Sequence, residues 1–270
     1  MSAGRARAVL LGPCRRSGAP APGRGARRGL ASAEAPLRER LAAVQAAVQR
    51  ASSAASARPV RLVAVSKTKP VELLREAYDA GQRCFGENYV QELVDKAPLM
   101  PSDTQWHFVG RLQSNKVRAL VQGCPSLACL ETVSSEKLAR AVDKAWLAAG
   151  AARRLPVMVQ VNSSGEVQKN GVPPDEVSQL CVLISRELRG LELAGLMTIG
   201  APDYSGCRTE DFETLRTCRA QAAAALGVEE AALELSMGMS SDYENAILEG
   251  STSVRVGSQI FGARDYASKP

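Results

Sequence analysis

Aromatic side chains are scarce in this chain. Phenylalanine, tryptophan and tyrosine together make 4% of its 270 residues, so a folded core has to be mostly aliphatic. There is one histidine, His107, which excludes a histidine-rich metal site. The seven cysteines (Cys14, Cys84, Cys124, Cys129, Cys181, Cys207 and Cys218) are odd in number, irregular in spacing and contain no CxxC pair. That argues against a disulfide framework or a zinc site and for a reducing compartment. No run approaches the ~20 apolar residues of a membrane-spanning helix, so no membrane partner is expected. Acidic residues are missing before Glu34, where seven arginines stand. They account for the net charge of +6 and leave the rest of the chain near −1. The basic charge therefore belongs to a terminus, and with no nucleic-acid-binding motif no nucleic-acid partner is expected.

The composition divides the chain in two. Residues 1–34 are Arg-, Ala-, Gly-, Ser- and Pro-rich and read as a disordered or targeting extension. An arginine-rich, acid-free start resembles a mitochondrial presequence, although Pro20 and Pro22 suit an amphipathic helix poorly. The expected location is the cytoplasm, the mitochondrion or both. Residues 35–270 read as one domain of ordinary globular composition.

Within that domain, helical and strand-like patterns alternate. Leu37, Leu41, Val44 and Val48 recur at helical spacing and predict a first helix to about Ser53. Apolar strand-like runs follow near 60–66, 83–86, 105–109, 127–131, 156–162, 191–197, 233–237 and 253–256. Amphipathic stretches separate them, among them 71–80, 136–149, 175–188 and 212–226. Pro70 is placed to open the first of these and Gly81 to close it. Ser241-Asp-Tyr-Glu244 has the form of a capping box. Eight strand–helix units in ~210 residues predict an α/β fold, a single (β/α)8 TIM barrel. A doubly wound open sheet is the alternative, but the Gly-rich fingerprint usual after its early strand is missing.

Barrel sites lie at the C-terminal ends of the strands, and every apolar run here ends in polar or small residues. The first ends in Lys67. Val63, Val65 and Lys67 share one parity, which puts an amine on a face expected to be buried. Burial, with Lys69 nearby, favours the neutral amine and makes Lys67 a candidate for Schiff-base chemistry with an aldehyde. Taken alone, a strand-end lysine that reaches solvent is the plainer reading. The last two ends add an anion site. Ser240 precedes a helix start, and Gly257-Ser258 offers close backbone approach and a hydroxyl. A lysine after strand 1 and a cradle after strands 7 and 8 suit a phosphorylated aldehyde, with pyridoxal 5′-phosphate the obvious one. Arg255 faces the same cavity and is placed to meet the pyridine nitrogen. A permanently charged arginine keeps that nitrogen unprotonated, which weakens the cofactor as an electron sink.

Seven segments carry a resemblance: Val-Ala-Val-Ser-Lys67-Thr-Lys-Pro, Phe85-Gly-Glu-Asn-Tyr-Val-Gln-Glu92, Trp106-His-Phe-Val-Gly110, Leu112-Gln-Ser-Asn-Lys116, Gly195-Leu-Met-Thr-Ile199, Leu235-Ser-Met-Gly-Met-Ser240 and Val254 to Tyr266. From about Leu37 to Lys269 the chain resembles the pyridoxal phosphate homeostasis proteins, also called proline synthase co-transcribed homologs. The resemblance implies an alanine-racemase-like barrel holding pyridoxal 5′-phosphate as a Schiff base on Lys67. It places Arg255 at the pyridine nitrogen and Ser240, Gly257 and Ser258 at the phosphate, with Asn88, His107, Asn162 and Met197 lining the ring pocket. Arg111 and Ala263 stand where such proteins vary and carry no inference. The resemblance further implies a cofactor reservoir in vitamin B6 homeostasis, serving pyridoxal-phosphate-dependent apoenzymes, with no established reaction. Related racemases have a second, β-rich domain that supplies a tyrosine acid/base across a dimer, whereas this chain stops four residues after Tyr266. The expectation is a monomeric binding protein. The alternative is a racemase or lyase of a small amino acid, with Tyr89, Tyr243 or His107 as the base.

Overall fold

A computed structural model of the chain describes residues 35–55, 59–165, 171–200 and 207–263. The expectations for residues 1–34 and for Tyr266 lie outside the described residues.

Eight strands form a closed, all-parallel barrel: β1 (Arg61–Val65), β2 (Cys84–Glu87), β3 (Gln105–Phe108), β4 (Leu127–Val133), β5 (Leu155–Gln160), β6 (Leu191–Met197), β7 (Glu234–Ser236) and β8 (Ser253–Val256). Strand order follows chain order, and β1 pairs with β8 from Arg61↔Ser253 to Ala64↔Val256 to close it. Helices α1 (Leu37–Ala54), α2 (Val71–Asp79), α3 (Val90–Lys96), α4 (Val117–Gly123), α5 (Glu136–Ala148), α6 (Val177–Glu187), α7 (Thr209–Leu226), α8 (Tyr243–Leu248) and α9 (Ser258–Phe261) accompany the strands.

The local reasons are visible in the residues. In α1 the apolar stripe Leu37, Leu41, Val44 and Val48 is buried, and the helix packs against α8 and α9. Arg40 Nε adds a 2.8 Å hydrogen bond to the Ile260 carbonyl. Pro70 precedes α2, and Gly81, at φ +97°, follows it. Ser135 caps α5 by accepting from the Leu138 N–H, and Leu138, Val142 and Trp146 turn inward. The Ser241–Glu244 capping box does not form. Helix α8 begins at Tyr243 after Asp242, whose carboxylate instead accepts from the Met239 N–H (2.6 Å) and the Cys207 N–H (2.5 Å). A carboxylate with two backbone donors from different loops is better satisfied there than a serine closing one helical turn.

Alternate residues of each strand face the barrel interior. The lowest level holds the Arg61–Glu234 ion pair, bidentate at 2.5 and 2.9 Å. Above it Cys129, Met158 and Met197 form an apolar cluster separate from the helix–sheet core. A polar level follows, made by His107, Glu131, Ser236 and Arg255, all buried. Lys67 and Asn88 come next, at the C-terminal mouth.

Candidate functional site at the barrel mouth

A cavity of about 410 Å³ opens at the C-terminal ends of the strands, within the range of small-ligand sites. Of the residues singled out in the sequence, Lys67, Asn88, Ser240, Arg255, Gly257 and Ser258 border it. Four cations line it (Lys67, Lys69, Arg111 and Arg255), and no carboxylate among the described residues does.

Lys67 is half-buried rather than enclosed. It stands in a turn after β1, closed by a Lys69 N–H to Ser66 carbonyl bond of 3.1 Å, with Thr68 at φ +62°. Lys69 donates from Nζ to the Ala263 carbonyl at 2.6 Å. Asn88 follows β2, and its buried Oδ1 has no hydrogen-bond partner. An unsatisfied buried acceptor facing a cavity is an opening for a ligand donor. Gly110 lets the backbone after β3 lie against Asn88: a Cβ there would come within 1.9 Å of the Asn88 carbonyl oxygen.

Arg255 is 4% exposed. Its Nη1 donates to Ser236 Oγ at 2.5 Å and its Nη2 to the Thr198 carbonyl at 2.7 Å. Ser236 Oγ in turn donates to Glu131 Oε2 at 2.5 Å, and Glu131 Oε1 meets His107 Nδ1 at 2.6 Å. Burial opposes charge on both members of that last pair. At Glu131 the hydrogen bond and charge of His107, with Arg255 and Ser236, outweigh burial and hold the carboxyl below its usual pKa. At His107 burial is outweighed by hydrogen bonds to Cys129, Cys84 and Glu131 and by the Glu131 charge, and the pKa lies well above the usual value. Burial keeps Cys129 a thiol, so the charged partner of the imidazolium is Glu131. His107, Cys129 and Glu131 bring ligand-type atoms within 4.8 Å of one another, but imidazole and carboxylate already neutralise each other.

The loops after β7 and β8 are joined across the mouth. Ser240 Oγ accepts from the Gly257 N–H at 3.2 Å, and the Ser240 carbonyl accepts from Gln259 Nε2 at 2.6 Å. Gly257-Ser258 leads straight into α9, and a Cβ at Gly257 would stand 3.0 Å from the Val65 carbonyl oxygen.

Three expected pocket residues do not border the cavity. His107 lies below it, bound to Glu131. Met197 is buried with Cys129 and Met158. Asn162 lies beyond β5, its N–H bonded to the Val172 carbonyl at 2.9 Å. In their place Val109, Ile199 and Gln160 border it, each two residues away on the same parity. The inward face was legible; the level that meets the cavity depends on strand tilt and stagger, which periodicity does not carry. Lys69, Arg111, Met239 and Phe261 also border it without having been singled out as pocket residues. For the first two, a cation just past a strand end was the available signal.

A closed parallel barrel with a lysine after its first strand and an arginine in its last defines the class as a barrel of the alanine racemase type. Residues 40–265 match the family described as "Alanine racemase, N-terminal domain". The chain is 48% identical to the pyridoxal phosphate homeostasis protein of Bos taurus, covering 73% of this chain and 75% of that one. Its identity to the Homo sapiens protein of the same name is 46%, over 74% of each. Among solved structures, PipY of Synechococcus elongatus with PLP bound is 35% identical, with a TM-score of 0.65 over 84% of this chain and 100% of that one. Alanine racemase of Corynebacterium glutamicum, 15% identical with a TM-score of 0.62 over 87% and 62%, shares the fold. The chain belongs to the pyridoxal phosphate homeostasis protein family.

Proposed function

We propose that this chain binds pyridoxal 5′-phosphate at the barrel mouth, with Lys67 as its covalent anchor, and stores and delivers it within vitamin B6 homeostasis. One observation carries the reading: Lys67, Arg255 and the Ser240–Gly257–Ser258 cradle border one cavity lined by four cations and no described carboxylate. That donor set fits a dianionic phosphate, an aldehyde and a ring nitrogen. The partnerless Asn88 Oδ1 offers a further acceptor.

Each residue has a distinct part. The Lys67 amine holds the aldehyde carbon. Ser240, the Gly257 N–H and Ser258 take the phosphate, with Lys69 and Arg111 adding positive potential. Arg255, its charge balanced by Glu131 from below, presents a donor to the ring nitrogen and leaves that nitrogen unprotonated. When bound, the cofactor supplies an electrophilic carbon and, so held, a weak electron sink.

The chain's own side chains support a carrier rather than a racemase. The relatives are named for homeostasis. Among the described residues bordering the cavity, lysine and arginine are the only ionisable types. The three bases considered from sequence do not border it: Tyr89 is 54% exposed, Tyr243 is buried elsewhere, and His107 is held by Glu131. Among the described residues, a two-sided proton exchange lacks its second group there.

The purified protein should be yellow with pyridoxal 5′-phosphate, and borohydride should bleach it and fix the label on the Lys67 peptide. Lys67→Ala should lose that label; its retention on residue 67-containing peptides of wild type alone is the decisive pattern. Deuterium wash-in at Cα of L- and D-amino acids, faster than with free cofactor, would instead establish an enzyme.

A further inference from the structure

The turn that carries Lys67 is held from outside the cavity by a buried ionic cluster. Lys96, the last residue of α3, places Nζ 3.0 Å from the Ser66 carbonyl, 2.8 Å from Glu87 Oε1 and 3.0 Å from Glu92 Oε2. Its three N–H donors thus have three acceptors. Glu92 Oε2 also accepts from the Thr68 N–H at 2.7 Å. Ser66 is fixed three ways, its N–H on the Gly86 carbonyl (2.9 Å), its Oγ on Glu87 Oε1 (2.7 Å) and its carbonyl on Lys96. The cluster therefore grips the residue before Lys67 and the residue after it, and none of its own residues borders the cavity.

Two features show that this grip does more than fill space. Thr68 is the one described residue other than glycine with positive φ, a conformation costly for a β-branched residue unless its surroundings impose it. The Glu92 bond supplies that constraint. Second, two carboxylates share one ammonium, and Glu87 Oε2 is buried with no partner. Replacing a buried ion pair by apolar side chains of like volume often leaves a fold as stable, so stability alone does not call for such a cluster. What charged hydrogen bonds add is directional control of the atoms they hold.

We propose that Lys96, acting with Glu87 and Glu92, is a positioning residue that aims the Lys67 amine into the cavity. This rests on the reading of Lys67 as the anchor for pyridoxal 5′-phosphate. In the step concerned, the Lys67 nitrogen attacks the aldehyde carbon, a carbon–nitrogen double bond replaces the carbon–oxygen one, and one water leaves. An amine held at the wrong angle slows that step without disturbing the phosphate cradle across the mouth.

The test separates the two. Wild type, Lys96→Met and Glu92→Leu, which removes the acceptor for the Thr68 N–H, are mixed with pyridoxal 5′-phosphate, and the rate of borohydride-fixable label on Lys67 is followed. Calorimetry with pyridoxine 5′-phosphate, which has an alcohol in place of the aldehyde, measures the cradle alone. Both variants should label at least about tenfold more slowly while keeping pyridoxine 5′-phosphate affinity within about twofold. Adding Thr68→Gly to Glu92→Leu should restore much of the rate, because glycine adopts φ +62° unaided. Labelling at the wild-type rate, parallel loss of both ligands, or no rescue by Thr68→Gly would overturn the inference. If Lys96→Met does not fold, Glu92→Leu decides alone. If wild type neither labels nor binds the alcohol, the functional reading fails instead.

Discussion

At the scale of single residues, the buried charges are the informative part. Glu131 touches His107 and Ser236 and lies 3.9 Å from Arg255. Replacing it by glutamine leaves two buried cations facing a neutral amide, and Glu131→Gln should cost about 3 kcal/mol or more in chemical denaturation. Its partner gives a pH signature. The folded protein holds His107 protonated at a pH where an unfolded imidazole, with a pKa of about 6.5, has lost its proton. The folded state then binds more protons, so this contribution is fully present below about pH 6.5 and fades as pH rises toward the folded value. Melting temperature should therefore decline from pH 6.5 upward, and His107→Gln should flatten that decline. An unchanged slope would mean His107 is neutral when folded. This pairing was not legible beforehand. His107 was expected to line the ring pocket, but 24 positions on Glu131 meets it at 2.6 Å because β3 and β4 are neighbours.

Elements were the most legible scale. The eight apolar runs and the long amphipathic stretches correspond to strands and helices within a few residues, because burial of one face sets both periods. Starts governed by tertiary bonds were less so. Helix α7 begins at Thr209 rather than Phe212, with the Arg208 N–H on Asp211 Oδ2 at 3.0 Å, and α8 starts where Asp242 rather than Ser241 directs it. The contact between the segments after β2 and β3 was equally hidden, since it depends on the absent Cβ of Gly110. Gly110→Ala should cost about 1–3 kcal/mol by overpacking and weaken binding of pyridoxine 5′-phosphate, because Asn88 must move. Normal affinity in that variant would show that Asn88 takes no part in the site.

Across the whole molecule, the two ends of the barrel differ in what they are for. In barrels of this architecture the C-terminal mouth serves binding, whereas the opposite end serves stability. Arg61 and Glu234 pair at that far end, each about a third exposed. Because the pair is bidentate and mostly buried, Arg61→Met strands Glu234 and should cost more than the ~1 kcal/mol of a surface ion pair, yet leave cofactor affinity at the wild-type value. A large loss of affinity would mean that the ends communicate. The closed topology was readable from eight strand–helix units and a missing Gly-rich fingerprint. The stacking of levels inside the barrel was not, which is why His107, Met197 and Asn162 were each displaced from the cavity by one inward-facing step.

The bond between the Gly257 N–H and Ser240 Oγ bears on how such a protein parts with its cargo. The Gly257 N–H, proposed above as a donor to the phosphate, already has an acceptor from the protein itself. On the proposed reading, loading would swap one acceptor for another and unloading would swap them back, so departure would strand no polar group. The Gln259 bond to the Ser240 carbonyl ties the two loops apart from that exchange. A site arranged in this way is as content to lend as to hold.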